Sequence, residues 1–233
     1  MATPPPGPTV VLVGTAHVID LAGPIDQLFR QYGPDAVAVE LDRARADALL
    51  SGTAGPTRGS HAPILLRLWG AAQRRLGAEM GGGFAGAEMK SAVLRALADR
   101  LPLYLIDDTV RETMGHLMHG LSPKERVQLL VGGLVGLVLP SRLVRREVDR
   151  YAQAPGEYLA DLREASPQLA RVLIDDRNRR MAERIVELVA RGHRRPLVVV
   201  GDAHRPGIEA ALRARGIAVV SIPFAELERV RAP

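Results

Sequence analysis

The apolar positions of the chain fall into short unbroken runs that alternate with helically spaced ones. Residues 9–13 are a continuous β-branched and aliphatic run ended by Gly14, the pattern of a buried strand. Residues 23–32 place Ile25, Leu28 and Phe29 on one helical face before Gly33-Pro34 breaks the pattern. Residues 35–41 (DAVAVEL) read as a second strand, and 42–50 return to helical spacing. A Gly/Ser/Thr/Pro loop over 51–60 leads to a helix over 61–76, a glycine stretch at Gly81-Gly82-Gly83 and a helix over 88–100. The third strand is 103–107 (LYLID). From 109 to about 191 the spacing predicts only helices, bounded by Pro123, Pro140, Pro155 and Pro167. A fourth strand over 197–200, a helix over 206–215 and a last strand over 217–222 follow.

Strand-helix alternation predicts an α/β fold: a central, mainly parallel sheet with crossover helices. The strands lie near both ends of the chain, so both ends must meet to complete the sheet. The chain reads as one domain, 1–233, with an α/β core (1–108 and 192–233) and a helical insertion (109–191) capping one sheet edge.

Composition narrows the chemistry. Hydrophobic residues make up 47 % and aromatics 3 %, so the core is aliphatic. The chain has no cysteine, which excludes disulfides and thiolate metal sites; a metal here must be held by His, Asp or Glu. The net charge is +5, but the arginines sit on Ala-rich helical stretches without interleaved stacking aromatics, so no nucleic-acid partner is expected. The N-terminal MATPPPGPTV lacks the basic and apolar regions of a secretory signal. The apolar run at 127–140 falls short of the about 20 residues a spanning helix needs. A soluble, cytoplasmic protein is expected.

One phrase is written twice: VVLVGTAH at 10–17 and LVVVGDAH at 197–204. Each delivers a histidine just past a strand's carboxyl end, where open α/β sheets bind ligands. A single histidine after strand-Gly is most often a structural hydrogen-bonding group. Two at equivalent places, His17 and His204, would share a crevice if their strands were parallel neighbours. Glu40 ends the second strand at the same rim. Two histidines and a carboxylate are a ligand set for a divalent metal. Asp202 serves this site or caps the helix after it. Glu88 reaches the crevice or opens a helix. His116 and His119 form H-x-x-H and read as exposed helix residues; His61 and His193 receive no role. The turn lacks the further glycines of a dinucleotide loop, and no Walker lysine follows either phrase.

With VGTAHV at 13–18, VELDRAR at 39–45, GAEMKSAVLRAL at 86–97, LIDDTVRET at 105–113, LIDDRNRRMAERI at 173–185 and VVGDAHRPGI at 199–208, the chain resembles the TraB (pheromone-shutdown) family, related to the Tiki proteases and GumN-like proteins. The resemblance places the two Gly-x-x-His motifs on Gly14, His17, Gly201 and His204, the strand-end Glu and following Arg on Glu40 and Arg45, and the helical Arg-Asn with a nearby Met on Arg177, Asn178 and Met181. It implies a fold shared with haem-binding (ChaN-like) and erythromycin-esterase-like (EreA-like) relatives, and a metal-dependent hydrolase of peptidase type using manganese or cobalt. Where the family usually reads Leu-Ile-Asp-Arg, this chain has Asp108, so the guanidinium is lost or supplied elsewhere, for instance by Arg111. A shortened acid, Asp176, precedes the helical arginine, and the membrane helices of many relatives do not carry over.

The expected mechanism has His17, Glu40 and His204 holding Mn²⁺, Co²⁺ or Zn²⁺, with Glu40 or Asp202 accepting a proton. Arg177 and Arg45 would steady an oxyanion or a substrate carboxylate, and Glu88, Asn178 and Asp202 would face the substrate. By itself Arg177, inside DDRNRR, reads as a salt-bridge residue; the resemblance assigns it to the site. The alternative is a non-catalytic protein that captures a peptide, haem or another small ligand for signalling or sequestration. A third reading gives the apolar 127–139 segment and the basic stretch after it to a homodimer interface or to peripheral contact with a membrane, against a buried cap helix.

Overall fold

The computed structural model describes residues 7–15, 22–51, 89–125 and 155–231. The chain forms, in order, β1 (Thr9–Thr15), α1 (Ala22–Tyr32), β2 (Ala36–Val39), α2 (Arg43–Ser51), α3 (Lys90–Ala98), β3 (Leu103–Leu105) and α4 (Val110–Gly120). There follow α5 (Pro155–Ala165), α6 (Pro167–Ala170), a π-helical turn (Arg171–Asp175), α7 (Asp176–Ala190), β4 (Pro196–Gly201), α8 (Arg205–Arg213), β5 (Ala218–Ile222) and α9 (Phe224–Arg231).

Among the described residues the sheet has five strands, in the order β3-β2-β4-β1-β5, and every pairing is parallel. The α/β expectation holds, with a wholly rather than mainly parallel sheet. Both ends of the chain meet in it, since β1 pairs with β4 and β5. Each strand is apolar on both faces because helices cover both. On one face Val11, Val13, Val37, Val39, Leu197 and Val199 pack against Ile25, Leu28 and Phe29 of α1, Ala46 and Leu49 of α2, and Ala92, Val93 and Ala96 of α3. On the other, Val10, Leu12, Ala38, Val198 and Val200 meet Met181, Ala182, Ile185 and Leu188 of α7 and Ile208 and Leu212 of α8. The described residues of 109–191 are helical except at the joins, and α7, expected within the insertion, lies on the sheet itself. Helix α4 makes a smaller cluster with the π turn through Met114, Leu117, Leu121 and Val172. It begins with a capping box: Thr109 Oγ1 accepts from the Glu112 N–H, and Glu112 Oε2 accepts from the Thr109 N–H.

The repeated phrases do lie on neighbouring parallel strands, but one residue out of step. Val11 pairs with Leu197 and Thr15 with Gly201, whereas the phrases would align Val10 with Leu197. Side chains alternate along a strand, so phrase-equivalent residues face opposite sides of the sheet: Val10 and Leu197 belong to different clusters.

The connectivity places a topological switch point at the rim of β4. After β2 the chain turns into α2 on one face; after β4 it turns into α8 on the other. Neighbouring strands whose following helices diverge form a topological switch point, where α/β sheets take their ligands. The helix expected over 61–76, Glu88 and the 127–139 segment lie outside the described residues. Among the described residues, no helix is long and apolar enough to cross a membrane.

Candidate functional site

Glu40 follows β2 directly, and its backbone N–H continues the ladder to Val199 O at 3.0 Å. Its side chain turns over the end of β4, where Oε2 accepts the Gly201 N–H at 2.7 Å. His204, at the entry to α8, brings Nε2 to 3.4 Å from Glu40 Oε1. Both residues are buried.

Arg177 reaches this point from the first turn of α7, immediately after the π turn. Nε and Nη2 fork onto Asp107 at 3.0 and 2.7 Å. Nη2 also donates to Glu40 Oε1 at 2.7 Å, and Nη1 donates to Leu173 O at 3.3 Å and meets His204 Nε2 at 3.1 Å. A guanidinium carries five N–H donors in a fixed plane, and here each has an acceptor. Asp107 is also bonded by Arg45 Nη1 at 2.9 Å, and Arg45 N–H donates to Asp42 Oδ1 at 3.0 Å.

Burial of the Glu40 carboxyl acts to raise its pKa. The neighbouring His204, the Arg177 guanidinium, the Gly201 N–H and Arg45 outweigh that and hold Glu40 at about 2. Burial acts to lower the Arg177 pKa, and the charges of Glu40 and Asp107 reverse this, raising it above its ordinary value. Glu40 and Arg177 are therefore fixed charges at neutral pH.

Of the residues expected in the site, the structure brings together Glu40, Arg177 and His204, with Arg45 joined through Asp107 and Asn178 behind the histidine. Asn178 is buried, with Oδ1 at 2.7 Å from His204 Nδ1. Asp202 is engaged on the β1 side, where Oδ1 accepts from Arg205 Nε at 2.9 Å and from the Phe224 N–H at 3.2 Å. It thus caps the start of α9 rather than α8, the helix after it, which has no side-chain cap. Its position explains the glycine of the first phrase: a Cβ on Gly14 would lie 1.9 Å from Asp202 Oδ1. His17 and Glu88 lie outside the described residues. His116 and His119 lie on α4, where His119 Nδ1 meets Gly115 O at 2.7 Å, and His193 meets the Tyr104 hydroxyl at 2.8 Å.

Asp107 joins the site although the repeated phrases do not single it out. It lies just beyond β3 at the same rim as Glu40, so the rule that selects a strand-end acid applies to both. Asp108 itself is paired from a helix. Arg180 and Arg184 of α7 bond the two Asp108 oxygens, the latter at 2.7 Å, while Arg111 is exposed. Burial opposes ionisation of Asp108, and these two arginines overcome it and hold its pKa below the ordinary value.

The donor set can be tested against a divalent ion. Two ligand atoms about 2.1 Å from an ion at the tetrahedral angle lie about 3.4 Å apart, the separation of Glu40 Oε1 and His204 Nε2. The atoms thus fit in type and spacing, with the Asn178 amide behind the imidazole as metal-binding histidines commonly have. The Arg177 guanidinium bonds the same two atoms and competes for them. Among the described residues, no group of three or more His, Asp or Glu side chains could hold a metal.

Residues 67–221 match the TraB/PrgY/gumN family. An uncharacterized protein of Methanocaldococcus jannaschii is 31 % identical over 217 residues, which is 88 % of this chain and 53 % of that protein. The chain thus spans about half the length of this curated relative. With the family match covering well over half of its length, the chain belongs to the TraB/PrgY/gumN family.

Proposed function

We propose that the chain is a divalent-metal-dependent hydrolase of peptidase type, its centre held by Glu40, His204 and His17. The observation that carries this reading is the convergence of Glu40 Oε1 and His204 Nε2, 3.4 Å apart, at the switch point of the sheet. When bound, Mn²⁺, Co²⁺ or Zn²⁺ supplies Lewis acidity toward a carbonyl and lowers the pKa of water.

The chain's own residues do the rest. Glu40 stays ionised throughout the physiological range, which suits a ligand; a carboxylate held near pKa 2 is a weak base and a poor proton acceptor. Asp202 is committed to Arg205 and to the start of α9 on the β1 side. Arg177, fixed by the Asp107 fork, would turn the Nη1 proton now donated to His204 Nε2 toward an oxyanion once the imidazole is engaged by an ion. Arg45, more exposed than Arg177, attracts the anionic end of a substrate.

A second reading, capture of a peptide or another small ligand without turnover, has one observation in its favour: every Arg177 donor is already satisfied, so the network is closed without an ion. A peptide library analysed by mass spectrometry separates the two. The hydrolase reading predicts cleavage products with Mn²⁺ or Co²⁺, none after chelation, and a loss of at least about 100-fold in Glu40→Gln. Peptides retained intact by wild type, with or without metal, would establish the binding reading instead.

A further inference from the structure

The structure assigns Asn178 and Gly207 a joint role as positioning residues: together they fix the tautomer and orientation of the His204 ring. The functional weight of this rests on the hydrolase reading above; the geometry does not.

Helix α8 opens Arg205-Pro206-Gly207. Proline suits a first helical turn, but glycine is a poor helix former. Gly207 is not among the residues with positive φ, so backbone conformation does not require it. Space does. A Cβ at 207 would lie 2.2 Å from Asn178 Nδ2, 3.0 Å from its Cγ and 3.4 Å from its Cβ. Asn178 is short and buried, so it cannot swing clear as a long surface side chain would. The missing side chain of Gly207 is the room in which the Asn178 amide sits.

That amide holds one nitrogen of the histidine, and its chain neighbour holds the other. Arg177 Nη1 stands 3.1 Å from Nε2, and Asn178 Oδ1 stands 2.7 Å from Nδ1. A guanidinium has only donors, so Nε2 must offer its lone pair. The proton of the neutral ring then belongs on Nδ1, where Asn178 Oδ1 accepts it. Consecutive residues of α7 thus grip opposite nitrogens of one ring. Nε2, 3.4 Å from Glu40, is kept in the unprotonated form needed to ligate an ion.

The test is long-range ¹H–¹⁵N spectroscopy of the histidine rings in this chain at pH 8. Wild type should show His204 with a protonated Nδ1 and an unprotonated Nε2. Asn178→Leu should lose that pattern, and Gly207→Ala should lose it too, although it alters no atom bonded to the ring. Mn²⁺ affinity should fall about 10- to 100-fold in both variants. In an Asn178→Ala background, adding Gly207→Ala should change nothing further, because the collision is gone. That double variant also covers the case in which Gly207→Ala alone does not fold. Gly115→Ala in α4, where nothing lies within 4 Å of the new Cβ, should leave the His204 signals unmoved. A wild-type ring protonated at Nε2, or wild-type signals in Gly207→Ala, would overturn the inference. A wild type that binds no Mn²⁺ counts against the hydrolase reading, and the ring spectra still decide this one.

Discussion

Arg177→Met is expected to lower stability by about 3–5 kcal/mol, the cost of stripping one partner from a buried charge network. The arginine side chain is 16 % exposed and its two carboxylate partners, Glu40 and Asp107, are 9 % and 4 % exposed. Methionine replaces the apolar stem but none of the donors, so two buried anions lose their shared cation. Asp107 keeps Arg45, and Glu40 keeps the Gly201 N–H, which places the expected loss toward the lower end. A surface pair sets the contrast: Arg43 and Asp47 are 85 % and 62 % exposed, and Arg43→Ala should change stability by less than about 0.5 kcal/mol. Urea unfolding at pH 7 reads both. A loss below about 1 kcal/mol in Arg177→Met would mean that the network is solvated and not a fixed charge site.

The second large effect is the acid behaviour of Glu40→Gln. The Glu40 pKa lies at about 2 in the folded protein against an ordinary 4.5, so the unfolded chain binds its proton first as pH falls. A depressed carboxylate contributes stability that is fully present above about pH 4.5 and is lost as pH falls toward 2. For this shift the contribution is on the order of 3 kcal/mol. Wild type should therefore exceed Glu40→Gln by that order at pH 7, and the two urea midpoints should converge near pH 2. Asp108, also held below its ordinary pKa, titrates in both proteins and cancels from the comparison. A gap unchanged between those two pH values would remove the buried ionised carboxylate from the account.

Most of the sheet is legible because buried parallel strands are written as unbroken aliphatic runs. Residues 10–13 (VVLV) and 197–200 (LVVV) differ little in composition, and they lie within the observed β1 and β4. Their adjacency enters the sequence reading only as a condition, which the structure meets, and their register is not encoded in the repeat. Register depends on which residues each face buries, and two similar phrases satisfy either alignment until Val10 and Leu197 are assigned to faces. Helix α9 is not expected from the sequence: FAELERVR is short, and it is anchored from afar by Leu227 in the core and by the Asp202 cap. Glu40, Arg177 and His204 can be named from strand ends and from the family resemblance. Asn178 and Gly207 cannot be paired in that way, because their contact is made where α7 packs on α8, which no spacing within either helix encodes. Asp107 sits at a strand end like Glu40, but the departure from the family pattern falls on its neighbour Asp108.

The central claim is that Glu40 and His204 form one ion-binding centre with His17. Calorimetric titration of chelator-treated protein with Mn²⁺ and Co²⁺ tests it most directly, with wild type beside His17→Ala, Glu40→Gln and His204→Ala, each checked for folding by circular dichroism. The account predicts one site in wild type and its loss in all three folded variants. Binding that survives His204→Ala or Glu40→Gln, or a wild type that binds neither ion, would contradict it.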